Sequence, residues 1–136
     1  MKSSIVFFQF LGLIFVSVSG VLLHFAFDWS DGSFFIAPFS AVNESIWEHM
    51  KLLFYPMLGF AVLEHRLLKD PGPSFWYVKM KGILLGFVLI PVIYYTYTGA
   101  LGVMADWFNI AIFFIVSAIL LLLAALFRPL YPTPIL

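Results

Sequence analysis

Four stretches of mainly apolar residues dominate the sequence, at residues 5–27, 44–63, 82–99 and 107–127. About 20 apolar residues in a helix cross the roughly 30 Å hydrocarbon core of a membrane, whereas an isolated strand leaves its backbone unsatisfied in lipid. The composition agrees, because 63% of the residues are apolar and 10% are charged, which excludes a soluble domain or a disordered chain. We therefore predict an all-α fold, a bundle of four transmembrane helices forming one domain over residues 1–136.

The charges between these stretches predict the orientation of the chain. Six of the seven basic residues fall on one side of a four-span arrangement: Lys2, Arg66, Lys69, Lys79, Lys81 and Arg128. Five acidic residues fall on the other side, together with Lys51: Asp28, Asp31, Glu44, Glu48 and Asp106. Because basic residues are enriched in cytoplasmic loops, both termini are predicted to lie in the cytoplasm, as in a multi-pass protein of the cytoplasmic (inner) membrane.

Net charge and cysteine content narrow the possible partners. The formal net charge is zero, so there is no basic surface to attract nucleic acid, and the predicted partners are the lipid bilayer and a second copy in a homo-oligomer. The chain has no cysteine, which excludes disulfides, thiol nucleophiles and cysteine-bound metals.

The second stretch is too short to cross a membrane on its apolar residues alone. Its uninterrupted apolar run, residues 52–63, would span only about 18 Å as a helix. Ionisable residues must therefore enter the membrane, where such groups usually face the interior of the bundle. We predict Asn43 as the helix N-cap, a polar stripe of Glu44, Glu48 and Lys51 beside His49, and a cytoplasmic boundary at Glu64.

Polar residues of the first and third stretches lie near the same end. His24 and Asp28, at the end of the first stretch, share one helical face. In the third stretch, several tyrosines follow a proline. We therefore predict an outward-facing, membrane-embedded polar site that binds or passes a small cation or polar solute. Its predicted binding residues are Asn43, Glu44, Glu48, His49, Lys51, Tyr94 and Tyr97.

The same region offers ligands for a metal. Histidine nitrogens and carboxylates suit zinc or another divalent transition metal, and the predicted ligands are His24, Asp28, Glu48 and His49, with Glu44 and Asp106 as further candidates. Three alternatives to a binding or transport protein stay open: a metal-dependent membrane hydrolase with unassigned catalytic residues, an accessory subunit of a membrane complex, and a set of purely structural ion pairs.

The segment Asn43-Glu-Ser-Ile-Trp-Glu-His49, followed downstream by Tyr94-Tyr-Thr-Tyr-Thr-Gly99, carries a family resemblance. It resembles a family of small, uncharacterised prokaryotic integral membrane proteins that is known only as a domain of unknown function. The resemblance covers the whole chain and implies a prokaryotic cytoplasmic-membrane protein. It implies no activity, so it assigns no catalytic residue.

Overall fold

The computed structural model describes residues 2–68, 71–102 and 106–127. Over these residues the chain forms four helices and no strand, which confirms the all-α prediction: α1 (Lys2–Trp29), α2 (Ile46–Leu67), α3 (Phe75–Leu101) and α4 (Asp106–Phe127). Each predicted stretch coincides with one helix, although α3 begins seven residues before residue 82 and α2 begins two residues after residue 44.

The helices pack side by side in chain order. The main contacts join α1 to α2, α2 to α3, α3 to α4 and α4 back to α1. Side chains from all four helices form the core, including Val16, Leu53, Ile90 and Val116. Close approach depends on glycine at Gly20, where a Cβ atom would lie 3.1 Å from the carbonyl oxygen of residue 52.

Two of the described helical segments are long and apolar enough to cross a membrane: Phe7–Trp29 in α1 and Phe75–Leu101 in α3. Only 17% of the residues in the most apolar part of each are buried inside the molecule. Most of their apolar side chains are therefore not buried inside the molecule, unlike those of a core helix in a soluble protein.

The start of α2 differs from the prediction, because Ser45 and not Asn43 is the N-cap. The Ser45 hydroxyl accepts a hydrogen bond from the Glu48 N–H at 3.4 Å. Asn43 instead accepts from the Ser45 N–H at 2.9 Å, an Asx turn that ends where the helix begins. Glu44 consequently precedes the helix and does not belong to its polar stripe.

Candidate metal-binding site

Two histidines and one glutamate converge at the end of the bundle that carries the long loop, residues 30–45. His24 lies in the last two turns of α1, Glu44 lies at the end of the loop, and His49 lies in the first turn of α2. One potential ligand atom from each residue lies within 4.8 Å of the other two. We call these three residues the His–Glu cluster.

The carboxylate of Glu44 bridges the Nε2 atoms of the two imidazole rings. Its Oε1 atom lies 3.8 Å from His24 Nε2, and its Oε2 atom lies 3.4 Å from His49 Nε2. The ring centroids of the two histidines are 5.4 Å apart. Each carboxylate oxygen therefore faces a nitrogen of a different histidine.

The backbone of α2 fixes the orientation of the His49 ring. His49 Nδ1 lies 2.9 Å from the Ser45 carbonyl oxygen, a contact in which a protonated Nδ1 donates. In a neutral imidazole the Nε2 atom then carries the lone pair and points at the Glu44 carboxylate. The Nε2 lone pair and the Glu44 carboxylate then face each other, so both can bind the same cation.

His24 adds a buried polar atom to the same site. Its Nδ1 atom is buried and has no hydrogen-bond partner among the described residues. The side chains of His24 and His49 are 29% and 21% exposed, whereas that of Glu44 is 81% exposed. The two histidines are thus partly buried, whereas the glutamate is largely exposed to solvent.

Glu48 and Lys51 hold the long loop against α2 and lie outside the His–Glu cluster. Their side chains form an ion pair at 2.6 Å. Lys51 also donates to the Ala37 carbonyl oxygen at 2.9 Å, and Glu48 accepts from the Val42 N–H at 2.9 Å. We call this arrangement the loop clasp; it fixes both halves of the loop that ends in Glu44.

None of the other predicted site residues that the structure describes joins the His–Glu cluster. Tyr94 packs against the hydrophobic core, and Tyr97 stacks on Phe108 of α4 with ring centroids 3.8 Å apart. Asp28 does not belong to the group of close ligand atoms found among the described residues. The side chain of Asp106 lies outside the described residues. The prediction of a metal site therefore stays a prediction, now centred on His24, Glu44 and His49.

A short sequence signal indicates the start of α2 and therefore the position of Glu44. Ser45 and Glu48 have the Ser-x-x-Glu spacing of a capping box, which places the N-cap at the serine. This spacing predicts that the helix begins after residue 45. Glu44 then lies in the loop, where it can turn back toward α1.

The sequence as a whole identifies the family. The sequence model of a family of unknown function, DUF6512, matches residues 2–131. The chain belongs to this family. No curated protein and no solved structure matches the chain. Membership in DUF6512 therefore supplies no activity, and any function has to be argued from the geometry of the site.

Proposed function

We propose that this chain is a four-span membrane protein that binds a divalent transition-metal ion, zinc in the first instance, through His24, Glu44 and His49. The observation that carries the proposal is the position of the Glu44 carboxylate within 3.4 and 3.8 Å of two imidazole nitrogens. Two histidines and one carboxylate form a common set of protein ligands for zinc.

The spacing of the ligand atoms fits tetrahedral coordination. Zinc binds histidine nitrogens and carboxylate oxygens at about 2.0–2.2 Å, so neighbouring ligand atoms of a tetrahedral site lie about 3.3–3.6 Å apart. The two His–Glu distances of 3.4 and 3.8 Å, which involve different oxygens of Glu44, are close to that value, and one ligand atom from each residue lies within 4.8 Å of the other two. A bound metal would draw the three side chains closer together, and the Ser45 carbonyl oxygen supplies the supporting hydrogen bond that ligating histidines usually make.

The distribution of apolar and charged side chains supports four spans with the cluster at the outer face. α2 contains 22 residues, about 33 Å of helix. Its two glutamates are paired with lysines near opposite ends of the helix: Glu48 with Lys51 and Glu64 with Lys79. Exposed aromatic residues surround the long-loop end: Trp29, Phe34, Phe35 and Trp47. Such residues are typical of a membrane interface. The positive-inside pattern supports a cytoplasmic location for both termini.

Metal binding to the purified full-length protein in detergent tests the proposal. We expect about one zinc ion per chain after dialysis, and a rise in the thermal midpoint that depends on zinc concentration. Free zinc at 100 times its Kd would stabilise the folded state by about 2.7 kcal/mol. The variants His49→Ala and Glu44→Gln should lose both effects.

The third histidine of the chain provides a matched control. His65 lies at the opposite end of α2 and packs on Phe75 and Trp76, with ring centroids 5.1 and 5.2 Å away. His65→Ala should therefore keep the zinc stoichiometry and the thermal shift. Equal zinc binding by the wild type and by His49→Ala would contradict the proposal, because His49 would then not be a ligand.

A metal-dependent membrane hydrolase is a second candidate function. The cluster offers three protein ligands, and the 81% exposed Glu44 side chain marks a solvent-facing side. Catalytic zinc sites typically use three protein ligands and keep the fourth position for water. Zinc-dependent hydrolysis of a fluorogenic lipid ester that disappears in His49→Ala would support this function; zinc binding without turnover of lipid or peptide esters would leave metal binding alone.

A further inference from the structure

A second group of polar side chains lies inside the bundle at the end opposite the long loop. Glu64 of α2, the predicted cytoplasmic boundary of that helix, is 0% exposed and therefore lies inside the bundle. It forms an ion pair with Lys79 of α3, whose side chain is 12% exposed. The pair joins two helices and lies apart from the His–Glu cluster.

Gln9 of α1 faces the same interior. It is 8% exposed, and its Oε1 and Nε2 atoms are both buried without a hydrogen-bond partner among the described residues. Gln9 lies seven residues before Val16, which is fully buried. Because seven residues make about two helical turns, both side chains lie on the same inward face of α1.

The register of α1 against α2 places Gln9 level with Glu64. The helices run antiparallel: the rings of His24 and His49 are neighbours at one end, and Gly12 lies against the Phe60 ring farther along. Gln9 is three residues beyond Gly12, and Glu64 is four residues beyond Phe60. At 1.5 Å per residue, both lie about 4.5–6 Å farther toward the opposite end.

We propose that Gln9, Glu64 and Lys79 line a second binding site, which we call the inner chamber, for a small uncharged hydrogen-bonding molecule. Buried amides in proteins are almost always hydrogen-bonded, so the donor and acceptor atoms of Gln9 point to an occupant. Glu64 and Lys79 are oppositely charged and already paired with each other, which favours an uncharged occupant beside Gln9 over an ion. Water is the smallest molecule of this class, and buried polar sites commonly hold it.

The inner chamber is separate from the metal site. Val16 of α1 and Leu53 of α2, which are 0% and 1% exposed, lie between the two polar groups along their helices. The distance is about 22 Å, since 15 residues separate His24 from Gln9 and Glu64 from His49. The proposal therefore does not depend on metal binding, and an occupant would enter from the opposite end.

The absence of native cysteine makes the accessibility of the chamber directly measurable. We would introduce Gln9→Cys into the full-length protein and follow its modification by hydroxyethyl methanethiosulfonate, a small, neutral, water-soluble thiol reagent, using mass spectrometry. A thiol reacts as its thiolate, which needs a polar surrounding. The controls are Val16→Cys, in the apolar layer of the same face, and Phe10→Cys, on the 64% exposed outer face.

We expect the cysteine at position 9 to react at least ten times faster than those at positions 16 and 10. Equal rates at positions 9 and 16 would overturn the proposal. The variant Gln9→Leu gives a second measurement: its thermal midpoint should fall if the amide binds an occupant. A higher midpoint would show that the amide is unsatisfied and would equally overturn the proposal.

Discussion

The loop clasp makes a prediction that separates two roles for Glu48. The sequence predicts Glu48 as a metal ligand. In the structure, its carboxylate instead forms an ion pair with Lys51 and accepts a hydrogen bond from the Val42 N–H. Glu48→Gln keeps the size of the side chain and removes its charge. We expect this variant to weaken zinc binding indirectly, because it releases the loop that carries Glu44.

The size of the effect follows from the exposure and the contacts of the clasp. The side chains of Glu48 and Lys51 are 21% and 22% exposed, so the pair is intermediate between a surface pair and a buried pair. A surface pair contributes about 0.2–1 kcal/mol to stability, and disruption of a buried pair costs about 3–5 kcal/mol. We therefore estimate about 1–2 kcal/mol for the loss of the ion pair. If zinc binding has to restore the order of the loop, its Kd rises about five- to thirty-fold.

Isothermal titration with zinc, in detergent and at 0.15 M salt to screen distant charges, measures this change. The matched control is Asp31→Asn, which removes one negative charge from the same loop. Asp31 is exposed and has a φ of 52°, a conformation that asparagine accepts readily. We expect the control to bind zinc like the wild type.

The variant Lys51→Met distinguishes the clasp from direct ligation. Removal of either partner opens the same clasp, so Lys51→Met should weaken zinc binding about as much as Glu48→Gln, and the double variant should be no weaker than either single one. A ligand role for Glu48 predicts the opposite, because removal of the competing lysine would strengthen binding. Tighter zinc binding by Lys51→Met would refute our reasoning.

Two further predictions concern the thermal stability of the protein in detergent. Ser40→Ala removes a buried hydroxyl that hydrogen-bonds to two backbone groups of α1, and we expect the free energy of unfolding to fall by about 1–2 kcal/mol. The Ser117 hydroxyl bonds to the Phe113 carbonyl oxygen of its own helix, so Ser117→Ala should cause a smaller loss. An equal loss would contradict the tethering role of Ser40. Gly86→Ala places a methyl group against Leu120 and should destabilise by about 1–3 kcal/mol. Gly82→Ala, with no atom within 4 Å, should be neutral or slightly stabilising, and similar effects at both glycines would contradict the close packing at Gly86.

The fold was predictable because apolar length and helix formation are properties of contiguous sequence. Each apolar stretch coincides with a helix, and the errors lie at the ends, where residues 75–81 extend α3 and α2 begins after Ser45. The burial of Glu64 could not be predicted in this way. It depends on Lys79 of α3, a pairing that becomes visible only when the two helices are packed together.

The candidate site was predictable in its residue types but not in its grouping. Helical periodicity put Glu44 and Glu48 on one stripe and treated them as equivalent. Their roles differ because Glu48 lies in the helix within reach of Lys51, whereas Glu44 lies before it and reaches His24 and His49. A shift of two residues in the start of one helix therefore changes which carboxylate faces the histidines.

The composition of the His–Glu cluster has a consequence for how the proposed metal would act. Its three residues come from α1, from the long loop and from α2. One ion would therefore connect three segments, which are also joined by the loop clasp and by the hydrogen bonds of Ser40. The loop supplies the most exposed ligand, Glu44, while both histidines stay largely covered. An ion would therefore reach the histidines past Glu44, and its binding would order the loop and stabilise the contact between α1 and α2 in the same step.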